Sequence, residues 1–365
     1  MSPANRLLAL SLAAALAAAT ISIARSDDAP AARAAVAAPA PTTGELVGQR
    51  LMVAMRGTRP SPALLGRIRR GEIGGIILFG FNITSPSQLR TLTRELQAAA
   101  SSAGRPALLI ATDQEGGRVR RLPWAGPAES ASELGESSAA RIRGKALLAG
   151  RALRAAGVTV DLAPVADVPG AGSFMAADDR TFGTSGAVVG RAAAAVTRGL
   201  ADAHVAATAK HFPGIGRATS NTDTSLVEIR ASRGALESDL APFRAAIGAG
   251  VPMVMISNAS YPALDSKPAP WSPRIQSLLR NELGFKGVTV TDALDGAAAT
   301  RRRTVQSVAV LSAQAGVDIL LFTGSEASST AAYERLLTAA AEGRVPAAAL
   351  RRSYDRIVAL KQTYG

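Results

Sequence analysis

Cysteine is absent from the 365-residue sequence, and histidine occurs only at His204 and His211. The lack of cysteine excludes disulfides, thiolate metal sites, a cysteine nucleophile and the acylated cysteine of a lipoprotein. Two histidines nearly exclude a multi-histidine metal site. Aromatic residues make up only 4% of the chain, so no aromatic platform is available to stack nucleic-acid bases. We therefore predict neither a metal site nor a nucleic-acid partner.

The charge balance is strongly positive, because 41 lysine and arginine residues outnumber 28 acidic residues, which gives a formal net charge of +13. Such a charge is compatible with an acidic polymer as a partner. The basic residues are scattered along alanine-rich stretches, however, which favours a solvated basic surface over a specific polyanion site. Hydrophobic residues form 47% of the chain, enough for a large core.

The N-terminus has the order of an export signal. Arg6 precedes the apolar run "LLALSLAAALAAATISIA" (7–24), and a charged break follows at 25–28. We predict a signal peptide over 1–24, or an uncleaved anchor, then a flexible Ala/Pro-rich spacer over 25–43 and a single folded domain over 44–365. The protein is then secreted or held in the cell envelope, touches the membrane only if residues 1–24 are retained, and is expected to be a monomer.

Eight short apolar runs follow the spacer, with helix-patterned segments such as 85–104 and 272–285 between them. Continuous apolar runs indicate strands that are covered on both faces, and intervening helices favour parallel pairing. We therefore predict an α/β fold, a single (β/α)8 TIM-type barrel. A doubly wound open sheet is the alternative that the pattern leaves open. The predicted strands are 51–55, 74–79, 107–113, 158–167, 205–212, 251–257, 287–292 and 317–322.

Polar residues stand where these predicted strands end. In a (β/α)8 barrel, side chains that carry out chemistry lie at the carboxyl ends of the strands. A single acid at such a place is often only a solvated or capping residue, but five consecutive strands that end in this way indicate a site. The residues are Asp113, Asp167, Lys210 with His211, Asn258 and Asp292.

In three of these regions, the local sequence indicates what the side chains can bind. In "ATDQEGGRVRRL" (111–122), Asp113 and Glu115 can accept hydrogen bonds from hydroxyls, although Glu115 and the arginines can equally form a network that only fixes the loop. In "ADDRTFG" (177–183), Arg180 can hold a hydroxyl or carbonyl oxygen. Adjacent residues on a strand point in opposite directions, so Lys210 and His211 both face a pocket only if the strand breaks, as we expect at 213–214.

Asp292 completes "GVTVTD" at the predicted mouth of the barrel. A carboxylate at such a point can attack a sugar anomeric carbon and form a covalent glycosyl intermediate. It can also bind a divalent cation, but Asp295 is its only close acidic companion and falls in the next helical turn.

Taken in order, several motifs make the chain from about Gly44 onward resemble the N-terminal barrel domain of family 3 glycoside hydrolases, in the single-domain β-N-acetylhexosaminidase branch. They are "GGIILF", "ATDQEGGRVRRL", "DRTFG", "TAKHFPG", "YPALD", "LLRNELGFKGVTVTDAL" and "AGVDILL". The resemblance implies a TIM barrel and a retaining hydrolase that removes terminal β-linked N-acetylglucosamine, commonly from peptidoglycan fragments. It also implies that no metal or organic cofactor is needed.

The same resemblance assigns roles by position. It makes Asp292 the catalytic nucleophile, and it assigns binding of N-acetylglucosamine in subsite −1 to Asp113, Arg121, Arg180, Lys210 and His211.

The chain departs from the family pattern in the loop after the fifth predicted strand. The branch usually reads "K-H-F-P-G-H-G" and then "D-S-H", whose last His is the general acid/base and whose Asp orients it. Here Ile215, Asn221 and Asp223 stand at the positions of the first of these His, the Asp and the last His.

Three hypotheses follow from this departure. Asp223 itself protonates the leaving group, which requires a pKa well above about 3.9. Alternatively, phosphate replaces water as the acceptor, drawn by positive charge around Arg217 and Lys210, and the enzyme is a phosphorylase. In the third, the barrel is a weakly active or inactive sugar-binding protein of the envelope. The retained Asp292 and sugar-binding residues favour hydrolysis.

Overall fold

The structure is a computed structural model that describes residues 40–365. The predicted signal peptide, and the spacer as far as residue 39, lie outside the described residues. Residues Pro41–Gly365 form one compact unit. Its first helix begins at Thr43, because Thr42 and Glu45 cap it reciprocally: the Thr42 hydroxyl accepts from the Glu45 N–H, and the Glu45 carboxylate accepts from the Thr42 N–H.

Eight parallel strands form the central sheet, and two further strands form a separate antiparallel hairpin. The sheet order is β10-β1-β2-β3-β6-β7-β8-β9, and β4 pairs with β5. The strands are β1 (Leu51–Ala54), β2 (Gly75–Leu78), β3 (Leu109–Thr112), β4 (Gln114–Gly116), β5 (Val119–Arg120), β6 (Val160–Asp161), β7 (Ala206–Phe212), β8 (Met253–Ile256), β9 (Val288–Thr291) and β10 (Leu320–Phe322).

The two edges of the sheet meet, which closes the barrel. Val290 of β9 bridges Ile319, the residue before β10. The Ile319 N–H donates to the Thr289 carbonyl at 2.8 Å, and the Thr291 N–H donates to the Ile319 carbonyl at 3.0 Å. Eight parallel strands in a closed ring confirm the predicted (β/α)8 barrel and exclude the open doubly wound sheet.

The strands are apolar throughout because both of their faces are covered. Within β1, Met52 and Ala54 belong to the cluster that fills the barrel interior. Leu51 and Val53 belong to the larger cluster between the strands and the outer helices. Alternate side chains therefore serve two separate cores, as the continuous apolar runs predicted.

The helices surround the barrel and mostly begin after a serine or threonine whose side chain caps the first turn. For example, Ser85 accepts from the Gln88 N–H at 3.1 Å. They are α1 (Thr43–Gly48), α2 (Pro62–Arg69), α3 (Pro86–Ser101), α4 (Ala131–Gly135), α5 (Ala139–Ala155), α6 (Phe174–Ala177), α7 (Gly186–Asp202), α8 (Arg233–Asp239), α9 (Ala241–Gly248), α10 (Pro273–Ser277), α11 (Ala297–Thr300), α12 (Val305–Ala315), α13 (Glu326–Ala341) and α14 (Ala347–Tyr364). None of the helices between residues 40 and 365 has the length and apolar character of a membrane span.

Two predicted segments differ from what the structure shows. The run 158–167 was too long as a strand, because regular pairing ends at Asp161 and Pro164 lacks an N–H. Asp161, rather than Asp167, therefore stands at the end of β6. The predicted helix over 272–285 is divided into α10 and a π-helical segment over Leu278–Glu282.

Candidate active site

One cavity of about 290 Å³ opens at the carboxyl ends of the barrel strands. This volume is close to the lower end of the range typical of small-molecule sites, about 300–1,000 Å³. All seven site residues predicted from the sequence line it, although they come from five separate segments of the chain. They are Asp113, Arg121, Arg180, Lys210, His211, Asp223 and Asp292.

Two acids on one wall of the cavity are held by cations. Lys210 Nζ lies 2.7 Å from Asp113 Oδ1 and 2.7 Å from Glu115 Oε1. Arg180 donates two hydrogen bonds to Glu115, both of 2.8 Å, and Arg121 Nη2 lies 3.7 Å from Asp113 Oδ2. We call these five residues the ionic wall. Their bidentate and bridging pairs form a rigid set of donors and acceptors for hydroxyl groups.

The charges of the ionic wall control its protonation. Burial alone would raise the pKa of Glu115, but the positive charges of Lys210 and Arg180 outweigh it and hold that pKa well below its usual range. Burial likewise opposes the charge of Lys210, yet Asp113 and Glu115 raise the pKa of this ammonium group. Glu115 and Lys210 therefore stay ionised at neutral pH.

Lys210 and His211 both reach the cavity because the pairing of β7 is irregular. The register between β7 and β8 shifts between Ala209 and Phe212, so the usual alternation of side chains is interrupted at these two positions. We predicted such a break after the strand, at 213–214. The irregularity instead lies inside the strand, which ends at Phe212.

His211 is oriented by a buried carboxylate. Its Nδ1 lies 2.8 Å from Asp167 Oδ2, while Asp167 Oδ1 accepts from the Ile215 N–H at 2.7 Å. Asp167 is completely buried. The pairing fixes the imidazole ring and leaves Nε2 as the nitrogen available to a ligand.

Two further acids form the other part of the cavity, which we call the carboxylate pair: Asp223 and Asp292. Asp292 follows β9, and its Oδ1 accepts from the Ala293 N–H at 2.8 Å. Asp223 lies in the loop after β7, where its N–H donates to Asn221 Oδ1 at 2.8 Å in an Asx turn. Asp223 is exposed as a whole residue, but its carboxylate faces the cavity.

The surroundings of Asp223 favour its neutral form. Burial of the carboxylate and the negative charge of Asp292 together raise the pKa of Asp223 to about 6, against the opposing charges of His211 and Arg180. A carboxyl group with this pKa can donate a proton in weakly acidic solution and accept one afterwards.

The loops that carry the two acids are joined by backbone hydrogen bonds. The Asp223 carbonyl accepts from the Ala297 N–H at 2.9 Å, and the Thr222 carbonyl accepts from the Ala298 N–H at 3.1 Å. A Cβ at Gly296 would lie 3.3 Å from the Asp223 Cα, so glycine permits this close approach. The contacts hold Asp223 against the loop that follows Asp292.

Three acids near the cavity were not predicted from the sequence to be important for the site. Glu115 was considered equally suited to a loop network, and Asp167 was named only as a strand end. Asp161 was not named as a site residue, yet its Oδ1 accepts from the Gln114 N–H at 2.9 Å and burial raises its pKa to about 7. An acid within the apolar run "VTVDLAP" was the signal that could have identified it.

No three acidic or histidine side chains between residues 40 and 365 converge as a metal site requires. The expectation that the site needs neither a metal nor an organic cofactor stays a prediction.

Known proteins match this chain over most of its length. The family model "Glycosyl hydrolase family 3 N terminal domain" matches residues 42–360. An uncharacterized secreted glycosyl hydrolase from Arthroderma benhamiae is 36% identical over 343 residues, which is 90% of this chain and 96% of that protein. A β-hexosaminidase from Alkalilimnicola ehrlichii is 36% identical over 281 residues, or 74% of this chain and 79% of that one.

Solved structures give the same result. A glycoside hydrolase family 3 β-N-acetylglucosaminidase from Paenibacillus sp. str. FPU-7 superimposes with a TM-score of 0.85 at 35% sequence identity. The match covers 89% of this chain but only 63% of the Paenibacillus chain. The chain is a glycoside hydrolase and belongs to glycosyl hydrolase family 3.

Proposed function

We propose that the protein is a retaining β-N-acetylhexosaminidase that removes terminal β-linked N-acetylglucosamine through a covalent intermediate on Asp292. The observation that carries this proposal is the carboxylate pair: one cavity contains an acid placed as a nucleophile and a second acid whose pKa is raised to about 6. The names of the similar β-hexosaminidases and the family 3 β-N-acetylglucosaminidase support the choice of sugar.

In the first step, Asp292 attacks the anomeric carbon and the bond from that carbon to the aglycone oxygen breaks. Asp223 donates its proton to the departing oxygen, so the aglycone leaves as a neutral alcohol. Formation of the ester removes the negative charge of Asp292. The pKa of Asp223 then falls, because repulsion by that charge had helped to raise it.

In the second step, Asp223 acts as a base. It takes a proton from water, the water oxygen attacks the anomeric carbon, and the ester bond to Asp292 breaks. Asp223 is protonated again, and the sugar leaves with its original β configuration. Two inversions at one carbon thus produce retention.

The ionic wall holds the sugar during both steps. Asp113 accepts hydrogen bonds from sugar hydroxyls, while Lys210, Arg121, Arg180 and His211 donate to oxygens. Because these groups already hold each other in place, little side-chain entropy is lost when the sugar binds.

The structure does not favour phosphorolysis. Arg217, which was expected to attract phosphate, donates two hydrogen bonds to Asp239 at 2.7 and 3.0 Å. Lys210 is already shared by two carboxylates. A protein that only binds sugar, in turn, has no use for an Asp292 paired with an acid of raised pKa.

We infer that the substrate comes from the cell wall, as peptidoglycan fragments, and that the protein is exported by residues 1–24. The secreted relative from Arthroderma benhamiae supports export. The rim supports a saccharide aglycone: Phe79 lines the cavity and stacks on Phe81, with 5.5 Å between ring centroids and Phe81 54% exposed. Such an exposed aromatic face can pack against a second sugar ring.

Release of 4-nitrophenol from its β-N-acetylglucosaminide tests the proposed function. We expect turnover by the wild type and a loss on the order of 10⁴-fold or more in kcat for Asp292→Ala, because the nucleophile is removed. Asp202→Ala removes an exposed acid far from the cavity and should leave activity unchanged. Equal rates in wild type and Asp292→Ala would contradict the proposal, and sugar 1-phosphate formed in added phosphate would show phosphorolysis instead.

A further inference from the structure

A second cluster of charged residues lies on the opposite face of the barrel, at the amino ends of β9 and β10. Its centre is Asp318, which is completely buried. Asp318 accepts from Arg280 Nη2 at 2.6 Å, Arg356 Nη2 at 2.6 Å and Ser353 Oγ at 2.8 Å. These contacts attach α14 to the barrel.

Positive charge in this cluster exceeds negative charge. Arg50, also buried, donates its Nε to the Asp318 backbone carbonyl at 3.1 Å, while its Nη1 has no hydrogen-bond partner among residues 40–365. Burial, aided by the charge of Arg356 and opposed by that of Asp318, lowers the pKa of Arg50 to about 10. One carboxylate thus pairs with two arginines beside a third, a costly arrangement when charges are removed from water.

A cavity of about 270 Å³ lies beside the cluster, between α10 with its π-helical extension, the end of α12, and α14. Arg280 and Arg356 line it, together with Arg352, which makes no ion pair within the described residues. Asn281 and Ser353 add polar groups to its wall. This clustering could not be predicted from the sequence, because the residues come from separate helices.

Gln276 provides an independent observation. It lines the cavity and is only 5% exposed, and both polar atoms of its amide are buried with no hydrogen-bond partner in the part of the chain that the structure describes. Buried amides are almost always hydrogen-bonded, and those that are not call for an explanation, such as an absent ligand. A network that only anchors α14 explains Arg280 and Arg356, but not Gln276; Arg352 is exposed and adds a further positive charge at the rim.

We propose that this cavity is a second ligand site, distinct from the active site, that binds an oxyanion of the phosphate type. Guanidinium groups match the geometry of phosphate oxygens, and the Gln276 amide can donate to a further oxygen. The anion would also balance the excess charge around Asp318. The same chemistry is offered by free inorganic phosphate and by a phosphodiester polymer such as poly(glycerol phosphate).

Thermal unfolding with inorganic phosphate, compared with chloride at equal ionic strength, tests this site. We expect phosphate at ten times its Kd to raise the Tm of the wild type by about 2–4 °C. Arg352→Gln should weaken phosphate binding about tenfold or more, because it removes a charge-assisted contact. Arg274→Gln removes an exposed, unpaired arginine of α10 outside the cavity and should respond to phosphate like the wild type.

Gln276→Leu separates a ligand role from a structural one. We expect this variant to keep the wild-type Tm in chloride, since it loses unpaired buried groups, yet to lose most of its response to phosphate. A Tm that falls in chloride with the phosphate response intact would show that Gln276 is structural. That result, or no phosphate-specific shift in the wild type, overturns the proposal.

The two sources of phosphate are distinguished by affinity. Tighter binding of poly(glycerol phosphate) than of inorganic phosphate, at equal phosphate concentration and dependent on Arg352, supports a polymer ligand. Equal affinities, again dependent on Arg352, support a small anion. If Arg352→Gln and Gln276→Leu both bind inorganic phosphate or the polymer with wild-type affinity, the anion binds elsewhere, which contradicts the proposed site.

Discussion

The active-site cavity contains two pairs of acids that are chemically alike but lie in opposite electrostatic environments. Asp113 and Glu115 share Lys210, which holds the pKa of Glu115 far below its usual range. Asp223 instead lies near Asp292. Burial, together with the negative charge of Asp292, raises the pKa of Asp223 to about 6. Glu115 is thus fixed in charge, whereas Asp223 can exchange a proton.

This difference shows how an aspartate can acquire the pKa that a general acid requires. A general acid needs a pKa near the working pH, which an unperturbed histidine has and an unperturbed aspartate lacks. Here the pocket shifts an aspartate toward that range, because burial and the charge of Asp292 outweigh the opposing charges of His211 and Arg180.

Among the changes that test this comparison, Asp223→Asn is expected to have the largest effect. We predict a loss of about 10²–10⁴-fold in kcat/KM toward substrates with poor leaving groups, because the proton donor is removed. In the wild type, kcat/KM should fall as pH rises through about 6, where Asp223 loses its proton, and the variant should lack this basic limb.

Glu228→Gln is the matched control, because Glu228 is an exposed acid of the same loop outside the cavity. It should keep both the rate and the basic limb. A basic limb that persists in Asp223→Asn would assign the titration to another group.

The ionic wall is tested by Lys210→Met, which leaves the buried Glu115 and the half-buried Asp113 without their shared cation. We expect the free energy of unfolding, measured in urea at pH 7, to fall by about 3–5 kcal/mol. Lys286→Met changes an exposed lysine and should alter it by about 0.5 kcal/mol or less. Similar losses in the two variants would show that the wall is not electrostatically coupled.

A pH-dependent effect is expected from Asp161→Asn, beside the ionic wall. Burial raises the pKa of Asp161 to about 7 in the folded protein, so the folded state binds its proton more tightly than the unfolded state does. The wild type should therefore lose stability as pH rises from about 4 to 7, by up to about 1.4 kcal/mol per pH unit from this group.

Asparagine keeps an acceptor for the Gln114 N–H but cannot ionise, so the stability of Asp161→Asn relative to the wild type should increase over this pH range. Urea denaturation at several pH values measures the difference. Asp202→Asn, at an exposed acid whose pKa is lowered by Arg143, should show no such increase. A constant difference for Asp161→Asn would show that Asp161 is ionised throughout.

Most of the barrel was predictable, because strands covered on both faces leave continuous apolar runs in the sequence. All eight runs contain a strand of the sheet. The errors arose where backbone pairing, rather than side-chain pattern, decides the structure. Regular pairing of the run 158–167 ends at Asp161, and the irregularity of β7 lies before Phe212 rather than after it.

The site was predictable where residues stand at strand ends or match a motif, and all seven predicted residues line one cavity. Contacts between distant segments were not predictable. Asp167 contacts His211, and Asp161 contacts Gln114, only in the folded barrel. The cluster around Asp318 was missed for the same reason.

The central claim, that Asp223 protonates the leaving group, is tested most directly by comparing two aglycones in Asp223→Asn. With 2,4-dinitrophenol, which leaves without a proton, we predict that the variant forms the glycosyl intermediate at a rate close to that of the wild type. With an N-acetylglucosamine aglycone we predict the loss of about 10²–10⁴-fold in kcat/KM. An equal loss with both aglycones would contradict the role of Asp223 as the acid.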